Sequence, residues 1–153
     1  FKVAIPLILE YYNIHFICII IISISINNIN ISKIESYLNG IIDNSVSVNT
    51  FVGDLPTTID SSWNDMVLID CPNGISDYMG MGRGTILIWL YAKPMANGIK
   101  NVAVMSRLEQ SLNEVLSKAN NEHYQLSRKA TYQDFDAIRQ WHCNIVELNL
   151  QIF

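Results

Sequence analysis

An almost unbroken apolar run, Thr85–Ala92, constrains the fold of this chain more than any other feature. Its sequence, Thr-Ile-Leu-Ile-Trp-Leu-Tyr-Ala, is apolar at both odd and even positions. Successive side chains of a β-strand point to opposite faces, so a strand with this sequence must be covered on both faces. We expect its own core to cover one face, and a helix or a neighbouring subunit to cover the other.

The sequence after this strand predicts one long amphipathic helix and two further strands. Between Val102 and Ala119, apolar residues recur at spacings of three and four, as on one face of a helix. The next segment, Tyr124–Tyr132, alternates: Tyr124, Leu126, Ala130 and Tyr132 are separated by polar residues. This alternation predicts a strand with one exposed face.

The last predicted strand, Trp141–Phe153, changes the parity of its apolar residues midway. They occupy odd positions as far as Ile145 and even positions from Val146 onwards. Because a strand alternates faces, this change predicts either a bulge near Ile145-Val146 or a strand that buries one face at each end. The second alternative needs a partner surface.

The preceding residues complete an α+β pattern. Ser32-Lys33-Ile34-Glu35 fits a capping box, which predicts a short helix from Lys33 to Ile42. Strands are predicted at residues 46–52 and 66–69, and the Gly-rich stretch Gly74–Gly84 is predicted to be an irregular hairpin loop. Residues 32–153 are therefore expected to form a single α+β domain. Its sheet is predicted to be mixed and mostly antiparallel, with four to six strands packed against one long amphipathic helix plus a short N-terminal helix.

Residues 1–31 differ from the rest in their richness in Ile. No charged residue occurs from Tyr11 to Ser32, but the apolar core of this segment, Ile14–Ile26, is shorter than the roughly 20 residues that span a bilayer. Three interpretations stay open: an added or artefactual extension, an additional β-strand or buried segment, and a membrane or export anchor within residues 11–31. The abundance of Ile and Asn favours the first.

Composition argues against several classes of function. The net charge is −4, and the ten basic residues are scattered apart from Arg128-Lys129, so recognition of nucleic acid through phosphate contacts is not expected. The three cysteines have no CxxC spacing and are expected to be reduced structural thiols.

The candidate catalytic and metal-binding residues do not form a reactive pattern. His142 and Cys143 are neighbours in a predicted strand, where their side chains point to opposite faces and cannot form a thiolate–imidazole pair. The three histidines lack the spacing of a metal site. Gly80–Gly84 superficially resembles a phosphate-binding loop but precedes a strand, whereas such loops follow a strand and open a helix. We therefore expect a protein without enzymatic activity, cofactor or metal.

The order of the predicted elements resembles the tail-terminator and tail-completion proteins of long-tailed bacteriophages. The resemblance covers residues 32–153 and is based on the pattern of elements. The first strand and turn correspond to Val46–Pro56, the central strand to Gly84–Pro94, and the helix to the residues around Leu108–Leu116. Tyr124–Tyr132 and Ile145–Ile152 correspond to the closing strand pair.

This resemblance implies a structural subunit of a virion tail or neck, assembled in the cytoplasm of a bacterial host. Proteins of this family form rings, commonly hexameric, that cap the tail tube and join it to the head-side connector. The partners implied are other copies of the chain, the tail tube protein and the connector protein, without a membrane. Combined with the doubly apolar strand, the face-switching last strand and the Gly-rich loop, the resemblance predicts a subunit interface containing Asp77, Tyr78, Arg83, Ile86, Ile88, Leu90, Trp141 and Glu147.

Two other functions are compatible with the sequence. A bacterial module that binds a small ligand or peptide could be built on the same sheet and helix. A membrane-associated protein anchored by residues 11–31 is the other alternative.

Overall fold

A mixed six-stranded sheet and two helices make up the part of the chain that the computed structural model describes, residues 30–78 and 81–153. The fold class is therefore α+β, as predicted. The elements in chain order are α1 (Ile31–Ile42), β1 (Thr50–Val52), β2 (Asp65–Asp70), β3 (Ile75–Tyr78), β4 (Met81–Ala92), α2 (Val102–Leu116), β5 (Tyr124–Asp136) and β6 (Trp141–Ile152).

The sheet is built around β4 and β6. The strand order is β1-β2-β4-β6-β5. β3 pairs with the first four residues of β4, and β2 pairs with the last six residues of β4 on the same side. β1 and β2 are parallel, and the other pairs are antiparallel. The β4–β6 register continues without a shift from Gly82 opposite Ile152 to Ala92 opposite His142. β5 and β1 therefore lie at opposite edges of the sheet.

One face of the sheet carries both helices. Apolar residues at even positions of β4 and β6 form a single buried cluster with the apolar faces of α1 and α2, because alternate strand residues share a face. The fully buried members of this cluster include Ile34, Leu38, Ile42, Ile69, Ile86, Ile88, Leu90, Leu108, Leu112, Leu148 and Leu150.

The opposite face, which we call the second face, carries a smaller aromatic cluster. Met66, Tyr91, Trp141 and Cys143 are buried there, and Leu55, Ile59 and Trp63 of the loop between β1 and β2 pack against them. The apolar run of β4 is therefore covered on both faces at its C-terminal end. The second cover is a loop of the same chain.

The parity change in β6 takes the second of the two predicted forms. Its odd residues Trp141 and Cys143 are buried on the second face, and its even residues from Val146 onwards are buried under the helices. The bulge lies in β5 instead, between Arg128 and Ala130. The predicted single apolar face of β5 is therefore wrong, since Leu126 joins the helix-side cluster whereas Tyr132 lies beyond the bulge, opposite Ile145.

The helices differ from their predicted lengths and starts. α1 begins at Ile31, and the side-chain oxygen of Asn30 accepts a hydrogen bond from the Ser32 amide at 2.9 Å, so the cap is Asn30 and the predicted capping box is wrong. α2 ends at Leu116, three residues before the predicted end. The two helices have 12 and 15 residues, so the presence of two helices is confirmed but the second is not the long helix that was predicted.

The Gly-rich stretch Gly74–Gly84 is more regular than predicted. It contains β3 and the start of β4, which pair from Ile75 opposite Gly84 to Tyr78 opposite Met81. A Cβ atom on Gly84 would lie 3.1 Å from the carbonyl oxygen of Gly74, so the glycine permits this close backbone approach. In contrast, the predicted strand at residues 46–52 is regular only over Thr50–Val52.

The predictions for the Ile-rich extension fall outside the described residues, except at Asn30 and Ile31. Among the residues that are described, no helix is long and apolar enough to cross a membrane.

Shortening Leu148 should destabilise the fold strongly. Its side chain is 1% exposed between the sheet and the helices, and Leu→Ala substitutions at such sites cost about 2–5 kcal/mol of unfolding free energy. Leu148→Ala should therefore lower the free energy of unfolding in urea by an amount in that range. Asn149→Ala, on the exposed side of the same strand, is the control and should change it by less than about 0.5 kcal/mol. Equal effects of the two variants would contradict the face assignment.

Candidate subunit interface

Three of the predicted interface residues have no exposed surface in the folded chain. Ile86, Ile88 and Leu90 are each 0% exposed and lie under the helices. The apolar run looked available to a neighbouring subunit because its sequence does not show which elements of the same chain cover it. These three residues cannot contact a neighbouring subunit directly, and they can support an interface only by stabilising the sheet.

Trp141 is also largely covered. It is 6% exposed and belongs to the aromatic cluster on the second face. It lines a groove of about 410 Å³ together with Ile59, Lys93 and Ile138, between the β1–β2 loop and the β5–β6 turn. Ile138, in that turn, is 90% exposed.

Glu147 forms a polar group with two residues of β5. Its carboxylate accepts hydrogen bonds from Lys129 Nζ at 2.7 Å and from the Tyr132 hydroxyl at 2.9 Å. The hydrogen bonds from Lys129 and Tyr132 lower the pKa of Glu147 from its ordinary value. The extra residue at the β5 bulge, Lys129, thus binds back to β6.

Asp77, Tyr78 and Arg83 lie together on the β3–β4 hairpin, where Asp77 pairs with Gly82 and Ser76 pairs with Arg83. Asp77 and Arg83 are exposed. This hairpin is at the start of β4. Trp141 pairs with Asp136 of β5 and lies one residue beyond the β4–β6 pairing, which ends at Ala92 opposite His142. The structure therefore divides the eight predicted residues among the helix-side core, the aromatic cluster, the polar group of Glu147 and the β3–β4 hairpin.

The two sheet edges present a feature that the sequence prediction missed. One row of residues on the second face crosses five strands in direct register, namely Tyr132, Ile145, Trp89, Leu68 and Phe51. The row ends at Tyr132 on β5, which is 50% exposed, and at Phe51 on β1, which is partly exposed. An apolar row that reaches both edges can continue into another sheet.

Within residues 30–78 and 81–153, the outer edge of β5 is capped at its start and has no strand partner near its end. The amides of Tyr124 and Leu126 point away from β6 and donate to the side chains of Asn121 and Asn120, at 2.9 and 2.7 Å. Beyond the bulge the alternation changes, so Thr131, Gln133 and Phe135 point outward.

The outward amide at one of these three positions is bonded to a neighbouring side chain. The Phe135 amide donates to the carboxylate of Asp134 at 2.8 Å. The open part of the edge is therefore the pair Thr131 and Gln133, on either side of Tyr132.

The outer edge of β1 likewise has no strand partner among the described residues, over a similar length. Backbone bonds of Asn49 and Gly53 to β2 show that the odd residues of β1 face β2, so Thr50 and Val52 face outward. Val52 is 38% exposed, and Val48 just before the strand is 74% exposed.

A polar network holds the β1 edge in place. Asp65 at the start of β2 accepts from the Ser47 hydroxyl and pairs with Arg107 of α2, each at 2.5 Å. The Asn49 side-chain amide donates to the Asp65 carbonyl oxygen at 3.0 Å. The chain leading into β1 is therefore fixed to both the sheet and a helix.

The candidate catalytic residues are placed in structural settings. Burial, reinforced by Asp134 and Asp136, raises the pKa of the Cys143 thiol to about 12, and burial also raises the pKa of Cys71. The His142 ring packs against the Phe135 ring at 5.0 Å. Residues 30–78 and 81–153 contain no cluster of three or more His, Cys, Asp or Glu side chains suited to a metal ion.

Comparison with known proteins gives no family assignment for this chain. No protein-family model matches the sequence, and no curated protein matches it significantly.

The Glu147 group should make stability depend on pH. Because the folded pKa is lowered, ionised Glu147 stabilises the fold above its ordinary pKa of 4.5, and this contribution disappears as the pH falls through the folded pKa. Urea unfolding should therefore show wild type more stable than Glu147→Gln at about pH 6 but not at about pH 3.

Lys129→Met is the matched variant for this measurement. It removes the cation and leaves the carboxylate, so its stability should depend less on pH over this range than that of wild type. A wild-type advantage over Glu147→Gln that is equal at both pH values would contradict the assigned role of Glu147.

Proposed function

We propose that this protein is a ring-forming structural subunit of a phage or prophage tail or neck, a tail terminator that joins the tail tube to the head-side connector. The observation that carries the assembly part of this proposal is a pair of edges, at opposite sides of one sheet, that are open in the part of the chain that the structure describes. Each edge exposes outward backbone groups over about one short strand, next to exposed apolar side chains.

Open edges favour association because unpaired backbone amides and carbonyls can form a ladder with a strand of another chain. Near the start of β5, the outward amides of Tyr124 and Leu126 are protected by asparagine side chains. Because only a short stretch of the β5 edge is unpaired, one defined contact is favoured over indiscriminate aggregation. Two different edges on one subunit give a head-to-tail contact, which closes into a ring when the rotation between copies permits.

The resemblance of the element order to tail terminators supports the tail or neck part of the proposal. The structure retains the sequence of helix, strands, central strand, second helix and closing strand pair on which that resemblance depends. By the same resemblance, the ring is hexameric, contacts the tail tube and connector proteins, and resides in the virion.

A ligand-binding module is the second candidate. The groove of about 410 Å³ beside Trp141 combines apolar walls, Ile59 and Ile138, with the cation of Lys93. Pockets that bind small molecules have this combination of apolar lining and few polar groups. Saturable binding of a small ligand that Trp141→Ala abolishes, by a chain that stays monomeric, would favour this candidate.

The full chain should assemble in solution. Mass photometry and multi-angle light scattering over a wide concentration range should show a closed oligomer with several times the mass of one chain. The species should stop growing at one size, since a ring has no free ends. A single-chain mass at every concentration would overturn the ring proposal, and unlimited growth would favour a filament.

A further inference from the structure

We infer that the β5 edge of one copy pairs with the β1 edge of the next copy, antiparallel, with Tyr132 opposite Phe51 of the second copy. This inference rests on the proposed ring, and it names the contact that would build it.

Strand direction fixes the sense of the pairing. β5 runs parallel to β4, and β1 runs antiparallel to β4, because β1 is parallel to β2. A copy that continues the sheet with its helices on the same face therefore presents β1 antiparallel to β5. Such a contact is head-to-tail, as a ring requires.

Backbone alternation is satisfied in this register. Thr131 and Gln133 face outward from β5, and Thr50 and Val52 face outward from β1. Antiparallel pairing with Tyr132 opposite Phe51 places Thr131 opposite Val52 and Gln133 opposite Thr50. Both are then hydrogen-bonded pairs of outward residues.

The ladder formed in this way uses groups that have room for it. The Val52 carbonyl oxygen accepts the Asp54 amide within its own chain at 3.0 Å and keeps a second lone pair for the neighbour. A shift of one residue would place outward groups opposite inward ones and lose the ladder.

The same register continues the apolar row of the second face. Tyr132 and Phe51 both end that row, so the pair would join the rows of two copies across the contact. They would form a non-hydrogen-bonded pair, in which side chains are closest. Aromatic pairs across strands stabilise sheets.

Flanking residues also match in this register. Phe135, 42% exposed, would lie opposite Val48, 74% exposed, and Val52 would be covered by Thr131. Exposed apolar side chains thus meet one another.

Engineered cysteines test the contact and its register. Residues in a hydrogen-bonded antiparallel pair have Cα atoms about 5.5 Å apart, within the roughly 4.4–6.8 Å range of disulfides. The full chain carrying Thr131→Cys and Val52→Cys should give a ladder of covalent multimers on a non-reducing gel after mild oxidation. Each single variant and the wild type should give none.

The matched control moves one cysteine along the strand. Thr131→Cys with Val48→Cys moves the second thiol four residues away from Val52 and outside β1, so the ladder should be absent. Dimers from Thr131→Cys alone would show two β5 edges meeting and would overturn the inference. Equal ladders from the matched and shifted pairs would overturn it as well.

A proline variant tests the backbone pairing independently. Gln133→Pro removes an outward amide that is not bonded to β6, so the chain should fold yet remain monomeric at concentrations where wild type assembles. Gln133→Ala keeps the amide and should assemble as wild type does. Urea unfolding of both variants checks that the chain folds.

These results separate the inference from the proposed function. Suppose that the wild-type chain assembles, that folded Gln133→Pro assembles equally well, and that the matched cysteines give no ladder. The ring would then be retained, but it would use another surface. A wild-type chain that stays monomeric overturns both.

Discussion

The continuous antiparallel pairing of β4 with β6 is the interaction on which the rest of the structure depends. These strands are the centre of the sheet and carry apolar side chains to both faces. Their even residues pack against both helices in one core. Their odd residues near Trp141 and Tyr91 are covered by the β1–β2 loop. Burial of this apolar surface is the main force that holds these elements together.

The edges inherit their properties from that centre. Because β4 and β6 pair without a shift, the rows of side chains continue outward to β1 and β5 in register. The bulge in β5 then turns Tyr132 toward the second face, where its hydroxyl binds Glu147. The same bulge sets which backbone groups face outward, so it positions the proposed contact as well as the local hydrogen bonds.

The sequence predicted the fold class, the central strand, the last strand and the existence of two helices from the arrangement of apolar residues and one helix-start signal. It did not predict that Leu55, Ile59 and Trp63 cover the second face, because their spacing in an irregular loop has no period. The β5 bulge was missed because Tyr124, Leu126, Ala130 and Tyr132 share one parity in the sequence, and a sequence does not show that one intervening residue, Lys129, is left out of the pairing. β3 was hidden by glycines, one of which is required by a close backbone approach.

The candidate site was harder to predict than the fold. Ile86, Ile88 and Leu90 suggested an interface through their hydrophobicity, yet hydrophobicity alone does not distinguish a core from a contact between subunits. Phe51, Tyr132 and Val52 occur in ordinary strand patterns. Their significance depends on pairing order and on which backbone groups remain outward, and neither can be read from one segment at a time.

Hydrogen exchange at the two edges tests the central claim most directly. The amides of Thr50, Val52, Thr131 and Gln133 should exchange rapidly in dilute solution and become protected at concentrations where the protein assembles. Amides that bond β4 to β6 should be protected at both concentrations, because they lie within each subunit. Assembly without a gain of protection at these four edge amides would contradict the account.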